Sequence, residues 1–187
     1  MAKVNDNLVT EGLSGKLGKR LYFRRGRGGT TILAVRPKPS ENPEYNDAQL
    51  AQQEAFKTAT TYAKKAKNQP IYKALTRGTE ETAYNRAVAD WFGQPEILNI
   101  DASDWTGQIG QTIQIKAQDD TKVINVRVVI HDNGTILEEG EAVPSETDGL
   151  LWTYVTMTNV AAASGILLDA NAYDLAGNFG ASSVSMN

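Results

Sequence analysis

The sequence of 187 residues contains no cysteine and only one histidine. The absence of cysteine excludes disulfide bonds, thiolate metal ligands and a thiol nucleophile. The sequence also has no run of about 18 apolar residues, the length that a membrane-spanning helix requires. Its first residues lack the apolar core of a signal peptide. We therefore expect neither a membrane span nor a signal peptide, and synthesis in the cytoplasm.

The charged residues that are present divide unequally between the two halves. Residues 1–94 contain 16 Lys and Arg against 9 Asp and Glu, a net charge of +7, whereas residues 95–187 contain 3 against 13, a net charge of −10. Such asymmetry favours either an anionic partner for the first half or pairing of opposite halves between copies. Two domains with unlike solvated surfaces are the alternative.

A glycine cluster at residues 26–29 separates two segments rich in β-branched and aromatic residues, a pattern typical of a β-hairpin. Apolar positions alternate with basic or polar ones before the turn: Leu17, Leu21 and Phe23 against Arg20, Tyr22 and Arg24. The hairpin therefore has one apolar and one basic face. Because a lone hairpin is marginal in water, its apolar face must pack on the following helices or on another copy. Residues 1–15 show no period and are interpreted as a flexible arm.

Three helices are predicted after the proline-rich connector at residues 37–45. The first is capped by Asn46 and runs from about residue 47 to 67, the second runs from Pro70 to about residue 77, and the third is capped by Thr79 and ends at Phe92. Spacing of three and four places the apolar residues of the first helix on one side. These are Ala51, Ala55, Phe56, Ala59, Tyr62, Ala63 and Ala66. We interpret residues 1–94 as one region, a basic arm, hairpin and helical anchor.

Residues 95–187 contain seven strand-like segments at the spacing typical of a β-sandwich. Residues 124, 126, 128 and 130 alternate as one apolar face, and Asp132-Asn133-Gly134 predicts a tight hairpin turn. The segment from Thr135 to Val143 is more polar and predicts an edge strand. The predicted fold class is therefore α+β: an N-terminal hairpin with two or three helices, followed by a seven-stranded antiparallel sandwich.

Two resemblances accompany these patterns. Ala172-Tyr-Asp-Leu-Ala-Gly-Asn178 resembles the motif that closes the strand before last in bacterial immunoglobulin-like domains, and the order of strand patterns over residues 95–187 is similar to theirs. Such domains serve mostly as spacers, decorations and binding modules on surfaces and phage particles. Residues 12–60 resemble the start of uncharacterised bacterial and phage proteins, which bring no known activity.

Besides the basic hairpin, which is described below, three features of the sequence are candidates for a catalytic, metal-binding or ligand-binding site. His131 lies on a polar strand face, where a Ser-His-Asp site would have to be built on it, and is interpreted as an exposed strand-end residue. Asp119, Asp120 and Asp174 are weak candidates for Ca²⁺ ligands, the alternative being solvated turn residues. Trp105 is either an exposed ligand contact or a structural plug. We predict no catalytic residue, no cofactor and no assigned metal.

The basic hairpin is the most distinctive feature of the sequence. Its candidate anion-binding or assembly residues are Lys19, Arg20, Arg24, Arg25, Arg27 and Arg36. They indicate either a simply solvated basic face or contact with an acidic protein surface, of another copy or of a scaffold protein, and both are favoured over nucleic acid, for which Tyr22 and Phe23 would supply stacking rings. We expect a non-enzymatic structural protein in a phage particle or bacterial surface assembly. A nucleic-acid-binding protein and a carbohydrate-binding module are the alternatives.

Overall fold

The computed structural model describes residues 2–4, 10, 12–26, 30–36, 43–160 and 165–186. Within these residues, twelve strands form three four-stranded sheets, and three helices follow the first sheet in the sequence. Every strand pair is antiparallel. The fold class is therefore α+β with mostly antiparallel β structure. The chain divides into two compact units, Met1–Gln53 and Glu54–Asn187.

The first unit holds a sheet with the order β1-β4-β3-β2. Its strands are β1 (Ala2–Val4), β2 (Gly15–Leu17), β3 (Leu21–Arg25) and β4 (Thr31–Val35). The predicted hairpin is present as the β3–β4 pair, with Leu21 opposite Val35. Residues 1–15 differ from the predicted arm, because Ala2–Val4 pairs with β4 and Gly15–Leu17 pairs with β3. Two added strands supply the partners that an isolated hairpin would lack.

Helix α1 (Asp47–Ala66) begins where the sequence predicts, because Asn46 and Gln49 form a reciprocal capping box. The Gln49 N–H donates to Asn46 Oδ1 at 2.9 Å, and the Asn46 N–H donates to Gln49 Oε1 at 3.0 Å. The boundary between the two units falls inside this helix. Its predicted apolar stripe is buried only towards the C-terminal end, at Ala59, Ala63 and Ala66, whereas Ala51 and Phe56 are exposed.

Helices α2 (Pro70–Leu75) and α3 (Ala83–Phe92) complete the helical part of the second unit. Helix α3 begins after Thr82, whose hydroxyl accepts a hydrogen bond from the Asn85 N–H, and not after the predicted Thr79. Thr79 instead accepts from the Glu81 N–H in the preceding turn. Ala63, Ala66, Tyr72 and Ala87 form a small buried cluster between the three helices.

The second unit also contains two sheets that share one core. Their strands are β5 (Glu96–Asp101), β6 (Thr112–Gln118), β7 (Val123–Asp132), β8 (Thr135–Glu141), β9 (Val143–Pro144), β10 (Leu151–Val155), β11 (Leu167–Asp174) and β12 (Phe179–Ser185). The orders are β5-β6-β10-β9 and β12-β11-β7-β8. Inward residues of both sheets, among them Ile113, Ile115, Val128 and Leu168, are buried together. We call residues 96–186 the sheet pair.

The described part of the sheet pair has eight strands where the sequence predicts seven. The predicted strand from Thr135 to Val143 divides at Ala142, because β8 pairs with β7 in one sheet while β9 pairs with β10 in the other. Ala142 is buried at the crossing, and its N–H donates to the Val126 carbonyl at 2.8 Å. The predicted Asp-Asn-Gly turn is confirmed, with φ of 48° at Asn133 and 82° at Gly134.

The turn between β11 and β12 joins the sheet pair to α3. The Asn178 side-chain amide donates to the carbonyls of Asp90, Trp91 and Gly93 at 3.2, 3.3 and 2.8 Å, and to Asp174 Oδ2 at 2.8 Å. These carbonyls belong to the last turn of α3 and its cap, which have no partner within the helix. The predicted turn motif is therefore also the C-terminal cap of a helix 85 to 88 residues earlier in the chain. No helix among the described residues is both long and apolar enough to cross a membrane.

Candidate functional site

The strand register sorts the side chains of the N-terminal sheet onto two faces, because directly paired residues point the same way. Lys16, Tyr22 and Ala34 are paired across three strands, and Arg24 pairs with Ile32. On the opposite face, Leu17, Leu21 and Val35 are paired, and Phe23 pairs with Leu33. An apolar face therefore alternates with a basic one on β2 and β3, as predicted from the sequence, whereas on β4 the residues paired with Tyr22 and Arg24 are the buried Ala34 and Ile32.

The β2–β3 hairpin encloses a concave surface at which basic and aromatic residues meet. It is lined by Gly15, Lys16, Gly18, Lys19, Leu21, Tyr22, Phe23 and Arg36. The turn at Gly18 has φ of 63°, a left-handed conformation that glycine adopts without strain. The Arg36 N–H donates to the Arg20 carbonyl at 2.8 Å, which holds the end of β4 beside this turn. Three cations and two rings thus lie around one concavity.

The predicted basic residues do not all belong to this concavity. Lys19 and Arg36 line it, and Arg20 adjoins it through the backbone contact with Arg36. Arg24 and Arg25 end β3 on opposite faces, and Arg25 Nη2 donates to the Gly12 carbonyl at 3.1 Å. Arg27 lies outside the described residues. Lys16, which was not among the six candidates, joins the site through its pairing with Tyr22.

The apolar face of the N-terminal sheet is partly exposed within the described residues. Leu17 has 52% of its surface accessible and Val35 has 67%, while Leu21, Phe23 and Leu33 are half-buried. Leu13 and Leu50 in the same unit are also exposed. Leu17 and Val35 are both paired with Leu21, so two exposed aliphatic side chains flank a half-buried one, and an apolar patch of this kind is typical of an interaction surface.

Trp105 is placed differently from an exposed contact residue. It is 2% accessible and packs in the shared core of the sheet pair with Trp152 and Val160. Its backbone N–H donates to the Ala102 carbonyl at 3.0 Å. This placement corresponds to the structural plug, the second of the two interpretations that the sequence left open.

His131 is half-buried and paired, not exposed. Its Nε2 lies 2.8 Å from Asp169 Oδ2, and the Ser183 hydroxyl donates to Asp169 Oδ1 at 2.6 Å. The carboxylate therefore stands between the serine and the histidine. A nucleophilic serine needs the imidazole as its direct hydrogen-bond partner, and Ser183 has the carboxylate in that place. The arrangement links β7, β11 and β12 on the polar face of their sheet.

The aspartates considered as Ca²⁺ ligands separate into two groups. Asp119 and Asp120 lie in the β6–β7 turn together with Asp90 of α3, and one carboxylate oxygen of each lies within 4.8 Å of the others. We call Asp90, Asp119 and Asp120 the junction carboxylates. Asp174 instead accepts from the Asn178 N–H and side-chain amide, at 2.7 and 2.8 Å. Its carboxylate therefore holds the β11–β12 turn.

Asp90 is buried among hydroxyl groups and other carboxylates. Tyr72 donates to its Oδ2 at 2.6 Å, and the hydroxyls of Tyr62 and Tyr72 lie 2.6 Å apart. Burial raises the pKa of Asp90; the neighbouring Thr121 and Tyr72 hydroxyls oppose this rise, and the charges of Asp174 and Asp119 add to it. Burial and the contact with Asp90 likewise raise the pKa of Tyr72.

Asp90 is the residue of this cluster that the sequence interpretation missed. It lies one residue before Trp91, in the last turn of α3, and its partners Asp119 and Asp120 follow about 30 residues later. The available signal was an acidic residue in the last turn of a helix, where the dipole disfavours negative charge. A carboxylate at that position requires a partner that compensates its negative charge.

Comparisons with known proteins identify no family for this chain. No family model and no curated protein matches it. Among solved structures, an engineered protein is similar over 49% of this chain and 20% of its own length, at 21% identity and a TM-score of 0.33. The MHC-like protein MILL2 is similar over 89% of this chain and 64% of its own, at 8% identity and a TM-score of 0.30. The chain thus spans less than two thirds of either structure.

Proposed function

We propose that this chain is a non-enzymatic structural protein that assembles with further copies of itself through its N-terminal sheet and carries the sheet pair as an immunoglobulin-like domain. The observation that carries the proposal is the apolar face on which Leu17 and Val35 are exposed and Phe23 is half-buried. Burying such a face against a second surface removes apolar area from water, the main favourable contribution to association. A phage particle or a bacterial surface structure is the setting we propose.

The charges of the chain favour another copy as the occupant. Residues 1–53, the first unit, contain 9 Lys and Arg against 5 Asp and Glu, and residues 95–187 contain 3 against 13. A basic surface on one copy and an acidic surface on the next attract each other and fix the orientation of association. Contacts of this head-to-tail type generate rings or filaments.

The strand orders support the immunoglobulin-like part of the proposal. Sheets ordered β5-β6-β10-β9 and β12-β11-β7-β8 correspond to the A-B-E-D and G-F-C arrangement of that fold, with β8 added at the edge beside β7. Trp152 is buried in the core, but it lies on β10, which corresponds to strand E, whereas immunoglobulin domains carry their buried tryptophan on strand C. Function does not follow from this fold alone.

The test is the mass of the full chain by light scattering after gel filtration, at about 50 mM and about 500 mM salt. We expect an oligomer whose mass falls at the higher salt. The double variant Lys19→Glu/Arg36→Glu should dissociate it at low salt. The matched control Lys73→Glu/Arg77→Glu makes the same charge change at exposed residues of the helical part and should leave the mass unchanged. A monomeric mass at both salt concentrations, or an equal fall in mass in the two double variants, would contradict the proposal.

A second candidate, binding of single-stranded nucleic acid, is favoured by the concavity that joins Lys16, Lys19 and Arg36 to Tyr22 and Phe23. Cations beside stacking rings are the combination that tracks a phosphate backbone. This candidate predicts that affinity for a mixed-sequence oligonucleotide falls steeply with salt and falls further in Tyr22→Ala. Lack of binding at low salt would exclude it. Carbohydrate binding through Trp105 has lost its support, because that side chain is buried.

A further inference from the structure

The junction carboxylates bring three negative charges together between α3 and the β6–β7 turn. Oxygens of Asp90, Asp119 and Asp120 lie within 4.8 Å of one another, although Asp90 is some 30 residues away from the other two in the sequence. Asp90 is fully buried, Asp119 is half-buried and Asp120 is exposed. The cluster therefore extends from the interior of the second unit to its surface.

Two carboxylate oxygens of this cluster are buried and have no hydrogen-bond partner among the described residues. Asp90 Oδ2 accepts the Tyr72 hydroxyl, but Asp90 Oδ1 is buried with no hydrogen-bond partner among the described residues. The Thr121 hydroxyl donates to Asp120 Oδ1 at 3.3 Å and also lies near enough to Asp90 to lower its pKa, but its single proton can serve only one of the two carboxylates at a time. Asp119 Oδ1 is likewise buried without a partner. A carboxylate oxygen removed from water and left unpaired is costly, and an ion is one of the few groups that relieve it.

The cations and donors of the chain compensate these charges only in part. Arg86 Nη2 lies 3.7 Å from Asp120 Oδ2, and Arg86 Nε has no partner within the described part of the chain. The Asn178 amide, which could have donated to a carboxylate of the cluster, is directed to the carbonyls of Asp90, Trp91 and Gly93 and to Asp174. These carbonyls form the negative end of the α3 dipole. The surroundings therefore favour a further cation.

We propose that Asp90, Asp119 and Asp120 bind a Ca²⁺ ion that fastens α3 to the β6–β7 turn. All the candidate ligands are carboxylate oxygens, which hard cations such as Ca²⁺ prefer. Zinc and copper sites usually contain nitrogen or sulfur ligands, and the cluster has none. Two ligands on opposite sides of Ca²⁺ are separated by at most about 4.6–5.2 Å, twice its usual bond length, and the oxygens fall inside that limit. Mg²⁺ usually keeps several waters and is bound through one or two carboxylates together with substrate phosphates, so three protein carboxylates favour Ca²⁺.

The experiment is calorimetric titration of the chelator-treated full chain with CaCl₂, accompanied by thermal unfolding with and without Ca²⁺. Asp120→Asn is the principal variant, because this residue is exposed and its replacement leaves the core intact. Asp104→Asn is the matched control, since Asp104 is an exposed aspartate of the same unit outside the cluster. We expect saturable binding at one site, weakened at least tenfold in Asp120→Asn and unchanged in Asp104→Asn. Ca²⁺ should raise Tm in the wild type and in the control.

Four results would overturn the inference, the last of them in its choice of ion. One is the absence of both a heat of binding and a change in Tm at about 10 mM CaCl₂. This concentration is far above the dissociation constants of even weak extracellular Ca²⁺ modules. Another is equal behaviour of Asp120→Asn and Asp104→Asn, which would mean general attraction to surface carboxylates. The third is binding only after Arg86→Gln, which would make Arg86 the counter-charge of the natural protein. Mg²⁺ binding as tight as Ca²⁺ binding would contradict the choice of ion.

Discussion

Glu138 is a buried carboxylate of β8 that receives four hydrogen bonds from β10 and the segment after it. The Tyr154 hydroxyl and the Met157 N–H donate to Oε1 at 2.6 Å each, and the Thr158 N–H and hydroxyl donate to Oε2 at 2.9 and 2.5 Å. Because β8 and β10 belong to different sheets, this one side chain links the two. Burial alone would raise the pKa of Glu138, but hydrogen bonds from Thr158, Tyr154 and Met157 to the charged form lower it instead.

We predict that Glu138→Gln lowers the free energy of unfolding by about 2–3 kcal/mol at neutral pH, because an amide N–H₂ would face backbone and hydroxyl donors. The folded pKa lies below the unfolded value of 4.5. The wild-type contribution is therefore complete above that pH and is lost as pH falls through the folded pKa. Urea unfolding at pH 7 and at about pH 3 should show the difference between the two proteins shrinking in acid.

The control is Glu139→Gln, the next residue, whose half-exposed side chain pairs with Arg127 Nη2 at 2.5 Å. A surface ion pair of this kind contributes about 0–1 kcal/mol. Equal destabilisation by the two substitutions, or a Glu138→Gln difference that does not change between pH 7 and acid, would contradict the assigned role of Glu138.

A second prediction concerns the contribution of Asn178 to the free energy of unfolding. Its amide serves three carbonyls at the end of α3, so Asn178→Ala should lower the free energy of unfolding by about 1–3 kcal/mol through loss of the cap. Asn178→Asp should be at least as harmful, since a carboxylate would face the same carbonyls and Asp174. Denaturant unfolding measures both. A free energy of unfolding for Asn178→Asp equal to that of the wild type would show that the amide hydrogens do not stabilise the end of α3.

At the scale of elements, β12 and the start of β5 approach so closely that only glycine fits between them. A Cβ added to Gly180 would lie 1.7 Å from the Pro95 carbonyl oxygen, a backbone atom that cannot move aside alone. Gly180→Ala should therefore cost about 3 kcal/mol or more by overpacking. Gly149→Ala is the control, because its added Cβ meets no atom within 4 Å. Thermal unfolding should show a large fall in Tm for the first variant only, and a small fall for Gly180→Ala would mean that the two strands separate readily.

Elements with a strong local period could be predicted from the sequence, whereas those defined by distant contacts could not. Residues 112–118 alternate exposed and buried along β6, as the pattern of Ile113, Ile115 and Ala117 predicts. The division of a strand at Ala142 has no local signal, because Gly140-Glu-Ala-Val is compatible with one continuous strand. The start of α3 was misplaced because Thr79 and Thr82 are both suitable caps.

The candidate sites show the same dependence on distance along the chain. Lys19, Tyr22 and Phe23 lie within five residues of one another, and the hairpin pattern was sufficient to bring them together. The junction carboxylates join positions about 30 residues apart, and the sequence assigned Asp174 in place of Asp90. Periodicity gives the face on which a residue lies, but it does not give the element that covers that face.

For the whole molecule, the proposed assembly depends on association through the apolar face of the N-terminal sheet. Val35 lies on that face, and a valine of the sheet pair provides an unusually close control. Val35 is 67% accessible in β4, and Val143 is 66% accessible in β9. Replacing either residue by aspartate makes the same chemical change at a strand position with the same exposure, so neither should prevent folding.

The most direct test is therefore the mass of Val35→Asp and Val143→Asp by light scattering, at the protein concentration at which the wild type is measured. The account predicts an oligomeric wild type, an oligomeric Val143→Asp and a monomeric Val35→Asp, because a carboxylate buried without a partner at the contact is costly. A monomeric wild type, or a Val35→Asp variant with the same mass as Val143→Asp, would contradict assembly through this face.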